Sequence, residues 1–156
     1  MACDLNRSAD QSQILDAAAA MLSANYPVSR LRRRRPDGMG EIAGFGAFDL
    51  ATPEAEGGAG FTVVEEMLLH VLLGRHVVST RALAMALAPR LARTPGAGID
   101  GRGEACIAIP DGETLLLPDP GQAGLAVVFR DRRLDLVAVP EGAGTAAEGL
   151  GHGLPL

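Results

Sequence analysis

Hydrophobic positions along the chain change their spacing near Pro95. Before that point, apolar residues recur every three or four positions, which is typical of amphipathic helices. After it, short apolar runs alternate with Gly, Pro and Asp, which is typical of strands joined by turns. The pattern predicts an α+β fold, with an N-terminal helical domain (residues 1–94) followed by a partial, mainly antiparallel β-domain (residues 95–156).

Two capping boxes mark the starts of predicted helices, one formed by Ser8 with Gln11 and one by Thr62 with Glu65. We expect Asn25-Tyr26-Pro27 to break or kink the first helix, because proline disfavours helical backbone at the residue before it. We expect the second to keep its glutamates off its buried face, which would consist of Val64, Met67, Leu68, Val71 and Leu72.

A short helix is predicted around residues 39–45, and an Ala-rich helix from Ser79 or Thr80 to about Leu91. The many small side chains of the Ala-rich helix would allow close approach by another helix or by a ligand. Four strands are predicted at residues 105–109, 114–117, 125–129 and 134–139, with Asp111-Gly112 favouring a hairpin between the first two. The Gly- and Ala-rich residues 141–156 predict a linker, or a domain that stops part way.

Composition and charge narrow the function classes. The chain is 47% hydrophobic and 21% charged, as globular proteins are. A net charge of −5 argues against general nucleic-acid binding, which needs a broad basic surface. The local exception is Arg30 with the four arginines at 32–35, most simply a solvated helix end, with phosphate binding as the alternative.

Nothing in the sequence predicts a membrane or secretory protein. No window approaches the roughly 18 unbroken apolar residues of a membrane span, and the first ten residues lack the pattern of a signal peptide. The two cysteines, Cys3 and Cys106, show no pairing or zinc-ligand pattern. We therefore expect a cytoplasmic protein without a disulfide framework.

Glycine-rich motifs of the form Gly-x-Gly-x-x-Gly/Ala begin at Gly38, Gly96 and Gly142. Such a motif binds phosphate when it joins a strand to the N-terminus of a helix. The first two follow no predicted strand, and the third leaves too little chain for a βαβ unit. A nucleotide-binding module is therefore the least favoured hypothesis.

Candidate catalytic and metal-binding side chains form no recognisable constellation. His70 and His76 lie six positions apart on one predicted helix, whereas helical residues that share a metal lie four apart. Neither cysteine lies near a histidine, and no Gly-x-Ser-x-Gly elbow occurs. We assign no catalytic residue and no metal ligand.

Several motifs follow one another in a fixed order over residues 10–93. Asp10-Gln-Ser-Gln-Ile-Leu precedes Ile42-Ala-Gly-Phe-Gly-Ala-Phe, which precedes Pro53-Glu-Ala-Glu-Gly-Gly-Ala-Gly60. A helix beginning Val63-Val-Glu-Glu then ends in Leu73-Gly-Arg. This order resembles the N-terminal helical domain of the acyl-CoA dehydrogenase family, which shows a Pro-Glu-x-x-Gly-Gly-x-Gly loop before a helix with Glu-Glu pairs.

Beyond Pro95 the resemblance weakens. The family carries Thr-Glu-Pro and then Gly-Ser-Asp near its flavin. The corresponding segment of this chain is Cys106-Ile-Ala-Ile-Pro110-Asp-Gly, which shares only the proline with those motifs. The family's C-terminal helical bundle, which carries the general-base carboxylate, has no counterpart in this sequence. The resemblance therefore assigns no cofactor-binding residue, and we do not expect this chain alone to retain FAD.

The resemblance implies part of an FAD-dependent acyl-CoA dehydrogenase, in which a base removes the α-proton of an acyl-CoA thioester and the β-hydride passes to FAD. We expect this chain to lack the base and to supply structural support and part of the acyl-pocket wall. The substrate-binding candidates are Arg81 and Met85, which precede Pro89 on the Ala-rich helix. The alternative is a non-catalytic homologue or small subunit, in a homo- or hetero-oligomer with a separate catalytic acyl-CoA dehydrogenase-like chain.

Overall fold

The computed structural model of the chain describes residues 7–33, 39–142 and 144. Contacts divide it into two compact units, Met1–Val78 and Ser79–Leu156. The first holds α1 (Ala9–Asn25), α2 (Gly40–Gly44) and α3 (Val63–Arg75), with 3-10 turns at Val28–Arg33 and Glu54–Glu56. The second holds α4 (Arg81–Ala92), β1 (Ala105–Asp111), β2 (Thr114–Leu116), β3 (Leu125–Arg130) and β4 (Arg133–Ala138).

The α+β prediction is confirmed, since helices precede a four-stranded sheet over the described residues. The Ala-rich helix α4 belongs to the second unit and packs on that sheet. The assignment of residues 1–94 and 95–156 to two family domains stays a prediction.

Helix α1 starts and ends where its local signals predict. The hydroxyl of Ser8 accepts a hydrogen bond from the backbone N–H of Gln11 at 3.1 Å, and Oε1 of Gln11 accepts one from the Ser8 N–H at 3.0 Å. The helix ends before Tyr26, which is itself buried. Its buried face, at helical spacing, consists of Leu15, Ala18 and Leu22.

Helix α3 buries a different face from the predicted one. Its buried residues are Glu66, Leu69 and Leu73, whereas three of the predicted core residues are more than half exposed: Val64, Met67 and Val71. Because eight of the 13 residues of this helix are Val, Met or Leu, two stripes of helical spacing overlap along it. Spacing alone cannot choose between such stripes.

The C-terminus of α3 ends in a Schellman motif with a valine at the position that glycine usually takes. The N–H of Val78 donates to the carbonyl of Leu73 at 3.1 Å, and that of Val77 to Gly74 at 3.0 Å. Val77 adopts a left-handed φ of 51°, which is strained for a β-branched residue.

Arg30 holds this helix end. Its Nη1 donates to the carbonyl of His76 at 2.9 Å, and its Nη2 to the carbonyl of Val77 at 2.9 Å. The guanidinium also lies 5.1 Å from the ring centroid of Tyr26. The prediction of a merely solvated arginine is therefore wrong for Arg30, while Arg34 and Arg35 lie outside the described residues.

The sheet of the second unit has the strand order β2-β1-β3-β4. The β1–β2 and β3–β4 pairs are antiparallel, and the central β1–β3 pair is parallel, with Ala105 opposite Leu125 and Ala108 opposite Val128. The mainly antiparallel prediction thus holds for the two outer pairs.

Each face of the sheet carries its own apolar cluster. On one face, Ala84 and Ala88 of α4 pack against Ala105, Leu125 and Val127. The small alanines let the helix backbone approach the strands closely. The second cluster consists of Cys106, Ala108, Ala126 and Val128.

Candidate functional site

The Pro-Glu-x-x-Gly-Gly-x-Gly segment folds into a turn in which three positions require glycine. Gly57 and Gly60 have left-handed φ values of 86° and 70°, which glycine adopts without strain. At Gly58 a Cβ atom would lie 2.2 Å from the carbonyl oxygen of Thr52. Thr52 is buried, and its carbonyl accepts the N–H of Gly60 at 2.9 Å. The motif is therefore required by the geometry of this turn.

Gln11 and Glu65, which complete the two capping boxes, are hydrogen-bonded to each other. Nε2 of Gln11 donates to Oε1 of Glu65 at 2.7 Å. Oε2 of Glu65 accepts the backbone N–H of Thr62 at 2.9 Å and also the Thr62 hydroxyl. The hydroxyl of Thr62 and then the amide of Gln11 lower the pKa of Glu65 from 4.5 to about 2. The starts of α1 and α3 are thus joined by a carboxylate that stays ionised.

A cavity of about 520 Å³ lies in the first unit, between α1 and residues of the segment 45–61. Its volume lies in the range of small-molecule sites, which are mainly apolar with a few polar groups. The lining includes Ile14, Phe45, Leu50 and Phe61, with Asp10 and Gln13 as its polar members.

The two predicted substrate-binding residues lie on the first turns of α4, within the second unit. Arg81 is 8% exposed, and its Nη2 lies 2.5 Å from Oε2 of Glu104, just before β1. Met85 is half-buried and packs against the cluster that contains Ala84 and Leu125. Their role toward a substrate stays a prediction.

The end of β1 does not fit the flavin contacts that the resemblance implies. Pro110 has no N–H to donate, and it pairs with Leu115 in the β1–β2 hairpin. The hydroxyl of Thr114 donates a hydrogen bond to the carbonyl of Asp111 at 2.9 Å, so it is already occupied within the hairpin. We therefore assign no side chain here to FAD.

The described histidines bind backbone groups. Nδ1 of His70 lies 2.9 Å from the carbonyl of Glu66, and Nδ1 of His76 lies 3.2 Å from that of Tyr26. Among the residues that the structure describes, no three His, Cys, Asp or Glu side chains gather as a metal site. Within that same part of the chain, no helix combines the length and the apolar character needed to cross a membrane.

The described glycine motif, at Gly96, does not join a strand to the N-terminus of a helix, as phosphate binding requires. Gly96 has a left-handed φ of 87° and lies in the connection between α4 and β1, before a strand rather than a helix. Other positions singled out in the sequence lie outside the described residues: Cys3, Gly38, His152 and most of the motif at Gly142.

Comparison with known proteins gives a similarity to a solved structure. No protein-family model and no curated protein matches the chain. Among solved structures, the chain is similar to a variant of the Tcur3481-Tcur3483 steroid ACAD, with 22% sequence identity and a TM-score of 0.49. The similarity covers 76% of this chain and 44% of that one, so this chain spans less than half of that structure's length.

Proposed function

We propose that this chain is the helical and β part of an FAD-dependent acyl-CoA dehydrogenase, acting on an acyl-CoA thioester. The observation that carries the proposal is the glycine-rich turn at residues 53–60. In a chain with 20 glycines, short glycine motifs arise by chance. Here Gly57, Gly58 and Gly60 are each required by φ or by lack of space. The turn leads directly into the capped helix α3, in the order that the resemblance requires.

The contribution of this chain to that reaction is support and binding rather than proton abstraction. A general base works best with a pKa near the working pH. Glu65 has a pKa of about 2 and is held by Thr62 and Gln11, so it is a poor base. FAD, where bound, supplies the hydride acceptor. We propose that residues outside the end of β1 hold it.

Arg81 and Met85 remain our candidates for the acyl-pocket wall. Met85 is only half-buried, so part of its apolar side chain is available to a ligand. The guanidinium of Arg81 is paired with Glu104. The part of Arg81 that we propose for contact with a ligand is therefore its alkyl stem.

A second function is favoured by the exposed apolar face of α3. Val64, Met67 and Val71 are spaced along one side of the helix, and each is more than half exposed. Contiguous exposed apolar surface marks contact sites on proteins. We propose, as the alternative, a non-catalytic homologue or small cytoplasmic subunit that pairs with a separate catalytic acyl-CoA dehydrogenase-like chain.

Co-expression of the tagged full chain with acyl-CoA dehydrogenase-like chains of the same genome tests both proposals. The readouts are flavin absorbance of the purified complex and reduction of a dye on addition of acyl-CoA. We expect a yellow complex that reduces the dye only when acyl-CoA is present. A colourless chain that purifies alone and supports no dye reduction with any of these partners would contradict both proposals.

The Met67→Glu variant distinguishes the proposed subunit from the proposed dehydrogenase part. A subunit that docks through α3 loses its partner and the dye reduction in this variant, because a charge enters the apolar contact. Ala20→Glu, at another exposed position, on α1, is the control and should leave the complex intact.

A further inference from the structure

Residues 117–124, which we call the strap, connect β2 to β3. Leu117 and Ala123 of the strap pack against the cluster that contains Cys106 and Ala126. Cys106 is 0% exposed, and its burial raises the pKa of the thiol. The strap therefore forms part of the cover of a buried thiol.

Side chains from the start of α4 hold the strap. The hydroxyl of Ser79 donates to Oδ2 of Asp119, and Ser79 Oγ also accepts the backbone N–H of Arg81 at 3.1 Å. Gly121 has a left-handed φ of 55°, and a Cβ there would lie 2.5 Å from Nη1 of Arg81. Arg81 is fixed in turn by Glu104. Ser79 and Arg81 thus act as a latch on one side of the strap.

The backbone of the strap is weakly bonded to the rest of the unit. Over the described residues, its bonds outside the strands are a turn from Ala123 N–H to Pro120 at 2.9 Å and a bond from Val139 N–H to Gly124 at 2.9 Å. Pro118 and Pro120 have no N–H to donate. Segments with few backbone bonds open at a lower free energy than the domain that carries them.

The closed strap also leaves a polar atom unsatisfied. Within the described structure, Nε of Arg81 is buried and has no hydrogen-bond partner. A buried N–H without a partner is costly, and opening of the strap at Gly121 would let water reach it. The cost lowers the free energy that separates the closed form from the open one.

We propose that the strap opens and closes as one unit over the Cys106 face, while the sheet stays folded. Opening breaks the contact between Ser79 and Asp119 and lifts Gly121 from the Arg81 guanidinium. Thiol reagents reach Cys106 in this open form. The strap is thus a conformational gate on a buried thiol.

The rate of Cys106 modification by DTNB in the full chain tests this proposal. Cys3→Ser makes Cys106 the sole thiol, since the chain has two cysteines. We expect Ser79→Ala to speed modification about tenfold, because the strap loses its hydrogen bond to a charged group. Asp119→Asn, which keeps the shape of the side chain, should give a smaller acceleration in the same direction.

Leu87→Ala is the control, because Leu87 packs against the cluster on the opposite face of the sheet. It should lower the melting temperature while leaving the modification rate unchanged. If Leu87→Ala speeds modification in proportion to its loss of global stability, Cys106 is reached by unfolding and the gate is wrong. An unchanged rate in both Ser79→Ala and Asp119→Asn would overturn it as well.

Discussion

Nε2 of Gln11 donates to Oε1 of Glu65 across 54 positions of the chain, and the two residues belong to different capping boxes. Each of them therefore caps its own helix and also binds the start of the other. A double-mutant cycle with Gln11→Ala and Glu65→Ala should give a coupling energy of about 1 kcal/mol, reduced from the usual value by solvent exposure. Urea unfolding of the four proteins measures it. Gln13→Ala, on the exposed side of α1, should show no coupling to Glu65→Ala.

The free energy of unfolding should fall as the pH is lowered from about 4.5 toward 2, because Glu65 becomes protonated in this range. Its pKa is about 2 in the folded chain and 4.5 in the absence of these bonds, so the unfolded chain binds the proton more readily. The stabilisation is present above about pH 4.5 and is lost as the pH falls toward 2. Thermal unfolding of the wild type and Glu65→Gln should therefore differ at pH 6 and converge near pH 2. A constant difference between them would contradict this assignment.

Val77→Gly should stabilise the protein by about 1 kcal/mol, because glycine adopts the left-handed conformation at the end of α3 without strain. Val78→Gly is the matched control. Its φ is not left-handed, so the same change should destabilise the chain through the entropy that glycine adds to the unfolded state. The midpoints of urea unfolding report both effects, and a loss of stability in Val77→Gly would be the contrary result.

Two glycine-to-alanine changes should act in opposite directions. Gly58→Ala would force a Cβ against the Thr52 carbonyl, and we expect a loss of roughly 2–4 kcal/mol as the turn rearranges. Gly74→Ala lies in α3 with nothing within 4 Å of its Cβ position. It should add up to about 1 kcal/mol from helix propensity. Equal effects of the two changes would show that the turn is not the constraint we describe.

Elements with local determinants are predictable from this sequence. The capping boxes of α1 and α3 act over three positions, and the first hairpin turns at Gly112, directly after β1, so both are visible without tertiary information. The glycine-rich turn is likewise a local motif. Its physical reason, however, includes Thr52, which precedes the motif and which no pattern singles out.

Contacts between distant parts of the chain are not predictable in this way. Arg30 binds carbonyls 46 and 47 positions away, and Arg81 binds Glu104 23 positions away. An arginine has the same local pattern whether its partner is water, a ligand or a carbonyl. The buried face of α3 is not predictable for a similar reason, since the choice between its two apolar stripes depends on the elements that pack against it.

The parallel pairing of β1 with β3 has a kinetic consequence. β3 and β4 are joined through Asp131 and Arg132, with left-handed φ values of 49° and 64°, so their hairpin closes over a very short loop. The β1–β3 pair instead closes a loop of about twenty residues, at a larger entropy cost. We therefore expect the β3–β4 hairpin to form first and β1 to join it late in folding. The strap lies inside this larger loop, so its residues add to the entropy cost of bringing β1 and β3 together.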